Sequence, residues 1–179
     1  NPTSAKAVKH ADSLETALEA QGWTVNRTTR SLGESVEAVA ERVEGSEVLV
    51  LAGGDGTVRY LSDIAIATGI PIWQHAAGNE NLFARSLGMK ASCASLLNAI
   101  EQRRIQFIDR FHAGSKAGSE AGLLIVSSGL DAEIVARVSS ERTGAVSNLN
   151  YILPTIRSLV SWKPARYTIE IDGVRQVDS

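Results

Sequence analysis

The chain has 179 residues, of which 44% are hydrophobic and 21% are charged, so it is long enough for one complete domain and part of a second. With 18 basic and 20 acidic residues its net charge is −2, which excludes a protein that binds nucleic acid through a uniformly basic surface. The one cysteine, Cys93, excludes an internal disulfide and a cysteine-rich zinc site, and we expect it to be half-buried.

The first hundred residues alternate between helix and strand patterns. Apolar residues recur at helical spacing over residues 4–21, 34–44, 58–68, 81–87 and 92–100. Short apolar or alternating runs predict strands over residues 23–28, 47–51 and 70–74. Strands that alternate with helices at these lengths indicate an α/β fold, in which helices cover both faces of a parallel sheet.

The pattern changes after residue 100. Alternating or apolar runs predict strands over residues 103–111, 123–127 and 166–171. Residues 113–120 are small and polar, which is typical of a hairpin loop, and Asp172-Gly173 indicates a tight turn. Residues 148–162 are amphipathic and predict a helix despite Pro154.

This change predicts a domain boundary between residues 102 and 103. Residues 1–102 form a nucleotide-binding α/β domain, and residues 103–179 form part of a β-rich second domain. The chain begins with Asn1 rather than Met and closes at Ser179 directly after a strand pattern. We therefore expect a first strand before Asn1 and a second domain that continues past Ser179.

A glycine-rich turn, Gly53-Gly54-Asp55-Gly56-Thr57, joins a predicted buried strand to a helix. Its glycines allow left-handed backbone conformations that turn successive N–H groups toward one point, and Thr57 can cap the helix. The helix adds its N-terminal partial positive charge, so the turn predicts a phosphate site at the carboxyl end of a strand. Asp55 would repel a phosphate unless Mg²⁺ or the amides of the loop bind its carboxylate. A tight turn without any ligand is the alternative.

The strand predicted before Gly78 also ends in a turn of small residues. Gly78 permits a close approach of the backbone, and Asn79 or Asn81 can cap the helix that follows. Two such turns at one sheet edge would face a nucleotide. Arg85 pairs either with a phosphate or with a surface acid. No serine or cysteine nucleophile pattern surrounds His75, so we expect a structural or loop-exposed histidine there.

Four sequence elements together resemble the diacylglycerol kinase catalytic-domain family, which includes bacterial lipid kinases and sphingosine kinases. The first two are the turn at residues 53–57 and the Gly-x-x-Asn-x-x-Ala-Arg sequence at residues 78–85. Asn1-Pro2-Thr3-Ser4 is similar to the family's Asn-Pro-x-Ser-Gly loop, and residues 127–132 are similar to its Gly-x-Asp-Ala segment. The four occur in the family's order over nearly the whole chain. NAD kinases share the Gly-Gly-Asp-Gly-Thr element alone.

The resemblance implies a phosphofructokinase-like first domain, the start of a β-sandwich second domain, and phosphorylation of a lipid hydroxyl by ATP and Mg²⁺. It implies that Gly53, Gly54, Asp55, Gly56 and Thr57 hold the ATP phosphates and that Asp55 organises Mg²⁺ as a catalytic residue. The family's remaining nucleotide-binding positions correspond to Asn1, Ser4, Gly78 and Asn81. Asp131 corresponds to a residue near the acceptor hydroxyl.

The composition and the resemblance together predict location and partners. No apolar run approaches the length of a membrane span, and the start of the chain has no signal-peptide pattern. We therefore expect a cytoplasmic protein. A lipid substrate, diacylglycerol-like or sphingoid-like, implies peripheral membrane contact. A homodimer is one option for its assembly.

The sequence departs from the family pattern at several positions. Asn79 stands where the family has threonine, Ala76 where it has proline, and Ala5 where it has glycine. The Asp-Gly-Glu motif that carries the family's general base has no counterpart, because residues 172–174 read Asp-Gly-Val. Two alternatives stay open, a non-catalytic relative that binds nucleotide or lipid and an NAD kinase. Asn79-Glu80 resembles a dipeptide of NAD kinases, but the sequence around it differs from theirs and fits the lipid kinases better.

Overall fold

The structure, a computed structural model, describes residues 4–31, 33–115, 118–140, 155–156, 159 and 168–178. The chain divides into two compact units, residues 1–124 and residues 125–179. None of the described helices is long and apolar enough to cross a membrane.

Five helices and four strands make up the described part of the first unit. The helices are α1 (Ala5–Glu19), α2 (Val36–Val43), α3 (Asp55–Thr68), α4 (Leu82–Ser86) and α5 (Cys93–Glu101). The strands are β1 (Leu49–Gly53), β2 (Ile72–Ala76), β3 (Phe111–Ser115) and β4 (Gly118–Gly122). The five helices predicted in residues 4–100 are confirmed, as are the strands predicted at 47–51 and 70–74, each with slightly shifted ends. Serine side chains at positions 4, 35 and 92 cap α1, α2 and α5.

β1 and β2 form a parallel pair, which confirms the predicted α/β class. Leu49 lies opposite Ile72, and Gly53 lies opposite Ala76. Because parallel strands run in one direction, both end at the same edge of the sheet. The turns that follow β1 and β2 therefore lie side by side.

Helices pack on both faces of this sheet, as predicted. Side chains of successive strand residues point to opposite faces, so Leu49 and Leu51 enter one cluster while Val48 and Val50 pack against another. The first cluster also contains residues of α2, α3 and α4: Val39, Val43, Val58, Ile64 and Phe83. The second contains residues of α1, β2 and α5: Leu14, Leu18, Trp73 and Leu96. Each such side chain contributes roughly 1.5–3 kcal/mol when it is fully buried.

The strand predicted at residues 23–28 is wrong. Trp23 and Val25 are half-buried and Thr24 is exposed, so the segment alternates as a strand would. It forms no strand ladder with any described residue, and side chains hold it instead. Arg27 forms an ion pair with Asp12 of α1 at 2.5 Å. Alternating apolar and polar residues indicate that one side of a segment is buried, but they do not indicate that its backbone pairs with another strand.

The strands predicted at residues 103–111 and 123–127 are also wrong, because only Phe111 of the first segment and no residue of the second lies in a strand. Strand structure begins only at Phe111 and ends at Gly122, so most of the predicted 113–120 loop belongs to the β3–β4 hairpin. Residues 104–110 pair with no described strand, and the side chain of Phe107 is 95% exposed. The alternation in this segment therefore has no covering partner in the described part of the chain.

Contacts with α3 place the hairpin in the first unit. Arg59 forms an ion pair with Glu120 and donates a hydrogen bond to the carbonyl of Ala121 at 3.2 Å. Arg110 forms an ion pair with Asp63 at 2.7 Å. The first compact unit thus continues past residue 102 to residue 124.

The second unit contains α6 (Leu130–Ser140), β5 (Thr168–Ile171) and β6 (Val174–Asp178) among its described residues. β5 and β6 form an antiparallel hairpin. Asp172 and Gly173 join them with φ angles of 50° and 79°, and two positive φ angles are typical of a type I′ turn. The predicted Asp-Gly turn is confirmed. The helix predicted at 148–162 falls mostly outside the described residues.

Candidate functional site

The first loop, residues 53–57, is a sharp turn from β1 into α3. Gly54 alone separates the end of the strand from Asp55, the first helical residue. The predicted helix cap by Thr57 is wrong, because Thr57 lies inside the helix and no side chain caps its start. Thr57 packs on Gly53 instead, so that a Cβ on Gly53 would lie 2.3 Å from Thr57 Oγ1. The absence of a Cβ on Gly53 therefore allows the side chain of Thr57 to pack closely against the end of β1.

Gly53 and Gly54 allow close packing and adopt no left-handed backbone conformation, whereas a Cβ on Gly56 would meet nothing within 4 Å. The predicted left-handed conformations are wrong, because Gly53, Gly54 and Gly56 all lack a positive φ. Gly54 has a φ of −92°, which any residue can adopt. Gly53 and Gly54 lack a Cβ atom where Thr57 and Gly78, respectively, approach them closely.

Three backbone N–H groups at the start of α3 have no hydrogen-bond acceptor among the described residues. They belong to Gly54, Asp55 and Gly56, whereas Thr57 and Val58 both donate to the Gly54 carbonyl, at 2.9 and 3.3 Å. Gly54 and Asp55 are half-buried and Gly56 is exposed. Open N–H groups and the partial positive charge at the start of a 14-residue helix together favour an anion.

The second loop, residues 77–81, lies directly against the first. A Cβ on Gly78 would lie 2.6 Å from the Cα of Gly54, and a Cβ on Gly54 would lie 3.2 Å from the Cα of Gly78. The amide of Ala77 donates to the Gly53 carbonyl at 3.1 Å and extends the strand pairing into the loops. The structure thus brings the two predicted loops together, and glycine at both crossing positions makes this contact possible.

Asn81 fixes the shape of the second loop. Its Oδ1 accepts a hydrogen bond from the Gly78 amide at 2.9 Å, and its Nδ2 donates to the Gly78 carbonyl at 2.9 Å. Asn81 itself has a φ of 49°, a left-handed value that asparagine tolerates better than most residues. It occupies the N-cap position of α4, as predicted, but its side chain makes no capping bond to that helix.

The capping bonds of α4 come from Asp55. Its Oδ2 accepts from the Leu82 amide at 3.0 Å, and its Oδ1 accepts from the Phe83 amide at 2.9 Å. Of the two arrangements expected for this carboxylate, amide binding is therefore present, although the amides belong to the second loop's helix. Charge-assisted bonds and the partial positive end of α4 stabilise the negative charge.

Gln74 is a site residue that the sequence analysis missed. Its side chain is fully buried, donates from Nε2 to the Gly53 carbonyl at 3.2 Å, and accepts at Oε1 from the Ala84 amide at 2.7 Å. Leu82, Phe83 and Ala84 thus all donate to side-chain oxygens, and none of these three N–H groups is open to a ligand. A polar residue within an apolar strand was the available signal, because buried polar groups need partners.

The remaining predicted residues lie in different surroundings. The Oγ of Ser4 caps α1 by accepting from the Ala7 amide at 3.2 Å. Arg85 is exposed and 3.6 Å from Glu80, which supports the surface-acid alternative. Asn1 lies outside the described residues. Asp131 belongs to the second unit, exposed in the first turn of α6, and its position near an acceptor stays a prediction.

His75 is buried in β2 and packs against α1. Its ring centroid lies 5.6 Å from that of His10 in an edge-to-face arrangement. Burial, together with the nearby His10, lowers the pKa of His75. Its Nδ1 is buried without a hydrogen-bond partner among the described residues. This placement fits the structural role expected for His75. Cys93 is half-buried, as expected.

Comparisons with known proteins match both parts of the chain. Residues 1–113 match the family model described as the diacylglycerol kinase catalytic domain, and residues 124–179 match the model described as the YegS C-terminal NAD kinase beta sandwich-like domain. An uncharacterized protein of Synechocystis sp. is 26% identical over 130 residues. That alignment covers 73% of this chain and 29% of the Synechocystis protein, so the chain matches less than a third of its length. No solved structure matches the chain.

Proposed function

Because the chain belongs to the diacylglycerol kinase catalytic-domain family, we propose that it transfers the γ-phosphoryl group of ATP to the hydroxyl of a lipid. One structural observation carries the proposal. The first loop presents three backbone N–H groups without acceptors among the described residues, at the edge where β1 and β2 end. This is a common position for ligands of open parallel sheets.

The phosphates of ATP bind the first loop in this proposal. Their oxygens accept hydrogen bonds from the amides of Gly54, Asp55 and Gly56, and the N-terminal charge of α3 stabilises them. The start of α4 does not take part, because its amides are bound by Asp55 and Gln74. The second loop instead supplies a wall of the site, with Gly78 held against Gly54.

Asp55 fits a magnesium ion that is bound largely by phosphate oxygens and water. Each carboxylate oxygen accepts one amide hydrogen and retains a lone pair for a metal. The described residues contain no cluster of three or more histidine, cysteine, aspartate or glutamate side chains that could hold a metal. One or two carboxylates are the usual protein contribution to a Mg²⁺–nucleotide site. Mg²⁺ would neutralise charge that develops on the phosphoryl oxygens.

The oxygen of the lipid hydroxyl attacks the γ-phosphorus, and the hydroxyl proton passes to water. The bond from that phosphorus to the bridging oxygen breaks, and ADP leaves with that bond's electron pair. Positioning and charge neutralisation supply most of the catalysis of such a transfer. We propose that Asp131 lies near the acceptor hydroxyl, as the family resemblance implies. A lipid acceptor also requires contact with a membrane surface, and we propose that this contact is peripheral.

Transfer of label tests the proposal. The protein is incubated with γ-labelled ATP, Mg²⁺ and detergent micelles that contain either diacylglycerol or sphingosine, with NAD as a third acceptor. We expect labelled lipid, and no label when Mg²⁺ is chelated. Nucleotide binding without transfer to any acceptor would contradict the kinase and favour a non-catalytic relative.

An NAD kinase is the second candidate. The match of residues 124–179 to a domain described as NAD kinase beta sandwich-like favours it. The same assay separates the two candidates, because label on NAD and not on lipid would overturn the lipid kinase.

A further inference from the structure

Gln74 joins two backbone groups that belong to different loops. It lies at the centre of β2, fully buried, on the face of the sheet that Leu51 and Phe83 also pack against. An apolar side chain of similar size would fill this position without the need to satisfy polar atoms. The side chain of Gln74 uses both its donor and its acceptor, on the Gly53 carbonyl and the Ala84 amide.

The bond to Gly53 controls the direction of the first open amide of the loop. The carbonyl of Gly53 and the N–H of Gly54 belong to one planar peptide unit, and the described part of the chain contains no cis peptide bond. In a trans peptide these two groups point in opposite directions. Gln74 Nε2 and the Ala77 amide hold the carbonyl from one side, at 3.2 and 3.1 Å. The Gly54 N–H is therefore directed away from Gln74 and Ala77.

The bond to Ala84 acts on the second loop. It satisfies the third amide of α4, next to the two that Asp55 satisfies. Without the Gln74 acceptor, the Ala84 N–H would be an open donor beside the first loop. With Gln74 in place, the first three N–H groups of α4 all have acceptors, whereas the N–H groups at the start of α3 have none among the described residues.

We propose that Gln74 is a positioning residue for nucleotide phosphate. Its bond to the Gly53 carbonyl directs the Gly54 N–H toward the phosphate. Its bond to the Ala84 amide leaves open N–H groups at the start of α3 and not at the start of α4. This inference rests on the proposed binding of ATP at the first loop, and it adds a residue whose side chain does not touch the ligand.

Binding of ATP with Mg²⁺ by the 179-residue chain is measured by titration calorimetry for wild type, Gln74→Met and Gln74→Glu. Gln74→Met keeps the length of the side chain and removes both hydrogen bonds, so we expect ATP to bind about tenfold more weakly. Ser62→Ala is the matched control. Ser62 is also buried, but its hydroxyl donates only to the Arg59 carbonyl within α3, so ATP affinity should stay at the wild-type value.

Gln74→Glu supplies a readout that a merely structural role would not give. A neutral glutamic acid can donate to the Gly53 carbonyl and accept from Ala84, whereas a carboxylate cannot donate. Burial raises the pKa of such a carboxyl group. At low pH, Gln74→Glu should bind ATP about as tightly as wild type does. Its affinity relative to wild type at the same pH should fall as the pH rises through the raised pKa of the glutamate.

Three outcomes would overturn the inference, and they are distinguishable. Wild-type affinity in Gln74→Met would show that Gln74 does not position the loop, while the proposed function would stand. If Gln74→Met does not fold, a Gln74→Glu affinity that follows wild type at every pH would show the same. Absence of ATP binding by the wild-type chain would contradict the proposed function itself, and the inference with it.

Discussion

Asp55 shows how one carboxylate can belong to two loops that are distant in sequence. Its oxygens accept from the amides of Leu82 and Phe83, so its charge stabilises the start of α4. The proposed magnesium contact would use the remaining lone pairs of the same oxygens. The structural and the catalytic role can be separated by substitution, because only the second requires a full negative charge.

Asp55→Asn should abolish phosphoryl transfer and leave part of the folding stability, because the amide oxygen can still accept from one of the two α4 amides. Asp55→Ala should also abolish transfer, and it should lower the free energy of unfolding by about 1–2 kcal/mol through loss of the cap. Urea unfolding and the labelled-ATP assay measure the two effects. Asp63→Asn, on the same helix but paired with Arg110, is the matched control. Full transfer activity in Asp55→Asn would show that Asp55 only caps α4.

His75 should make the folded state sensitive to acid. Its pKa is lowered by burial, and further by His10, so the folded chain binds this proton less readily than the unfolded chain. Folding therefore favours neutral His75, and this contribution to the free energy of unfolding is fully present at a pH above 6.5, the ordinary pKa of histidine. It is lost progressively as the pH falls below that value toward the lowered pKa. His75→Phe should flatten this dependence in urea unfolding between about pH 5 and pH 8, and an unchanged slope would contradict the assignment.

At the scale of elements, the site is a contact between two strand-to-helix turns on one parallel pair. Each turn alone is ordinary, and the contact of Gly54 with Gly78 combines them. The register of β1 against β2 sets this contact, because Gly53 lies opposite Ala76 and both strands end together. The site therefore depends on the sheet edge as much as on the residues that line it.

Gly78→Ala should disrupt this contact, because its Cβ would lie 2.6 Å from backbone that cannot move without shifting the first loop. We expect a lower Tm, a loss of about 1–3 kcal/mol in unfolding free energy, and weaker ATP binding. Gly56→Ala is the control for stability only, since a Cβ there meets nothing within 4 Å and its Tm should not fall. An unchanged Tm and ATP affinity in Gly78→Ala would contradict the tight crossing.

The sequence predicted elements well where the signal was local. The helices of the first hundred residues were predictable because each carries its own apolar face, and three begin at a serine whose side chain caps them. The segments at 23–28 and 103–111 were not, since alternation reports coverage and not strand pairing. The two loops were predicted by their glycines, but the bonds from Asp55 to α4 and from Gln74 to both loops join residues far apart in the chain. Local patterns contain no information about such partners.

At the scale of the whole molecule, the family assignment and the two units agree on a chain with two parts. The first match covers residues 1–113 and the second covers residues 124–179, while the compact units meet at residues 124–125. The predicted resemblance to the diacylglycerol kinase catalytic-domain family is confirmed. The first unit contains both loops and Gln74. Nucleotide binding is therefore the part of the proposed function that depends on residues of this unit.

The proposed binding of nucleotide phosphate to the open amides of the first loop can be tested directly. Titration of ¹⁵N-labelled protein with ATP and Mg²⁺, followed by NMR, observes those amides individually. The largest shift changes should fall on the N–H groups of Gly54, Asp55 and Gly56, while Leu82, Phe83 and Ala84 keep the shifts of amides bound to side chains. Large changes at residues 82–84 without changes at residues 54–56 would contradict phosphate binding at the first loop.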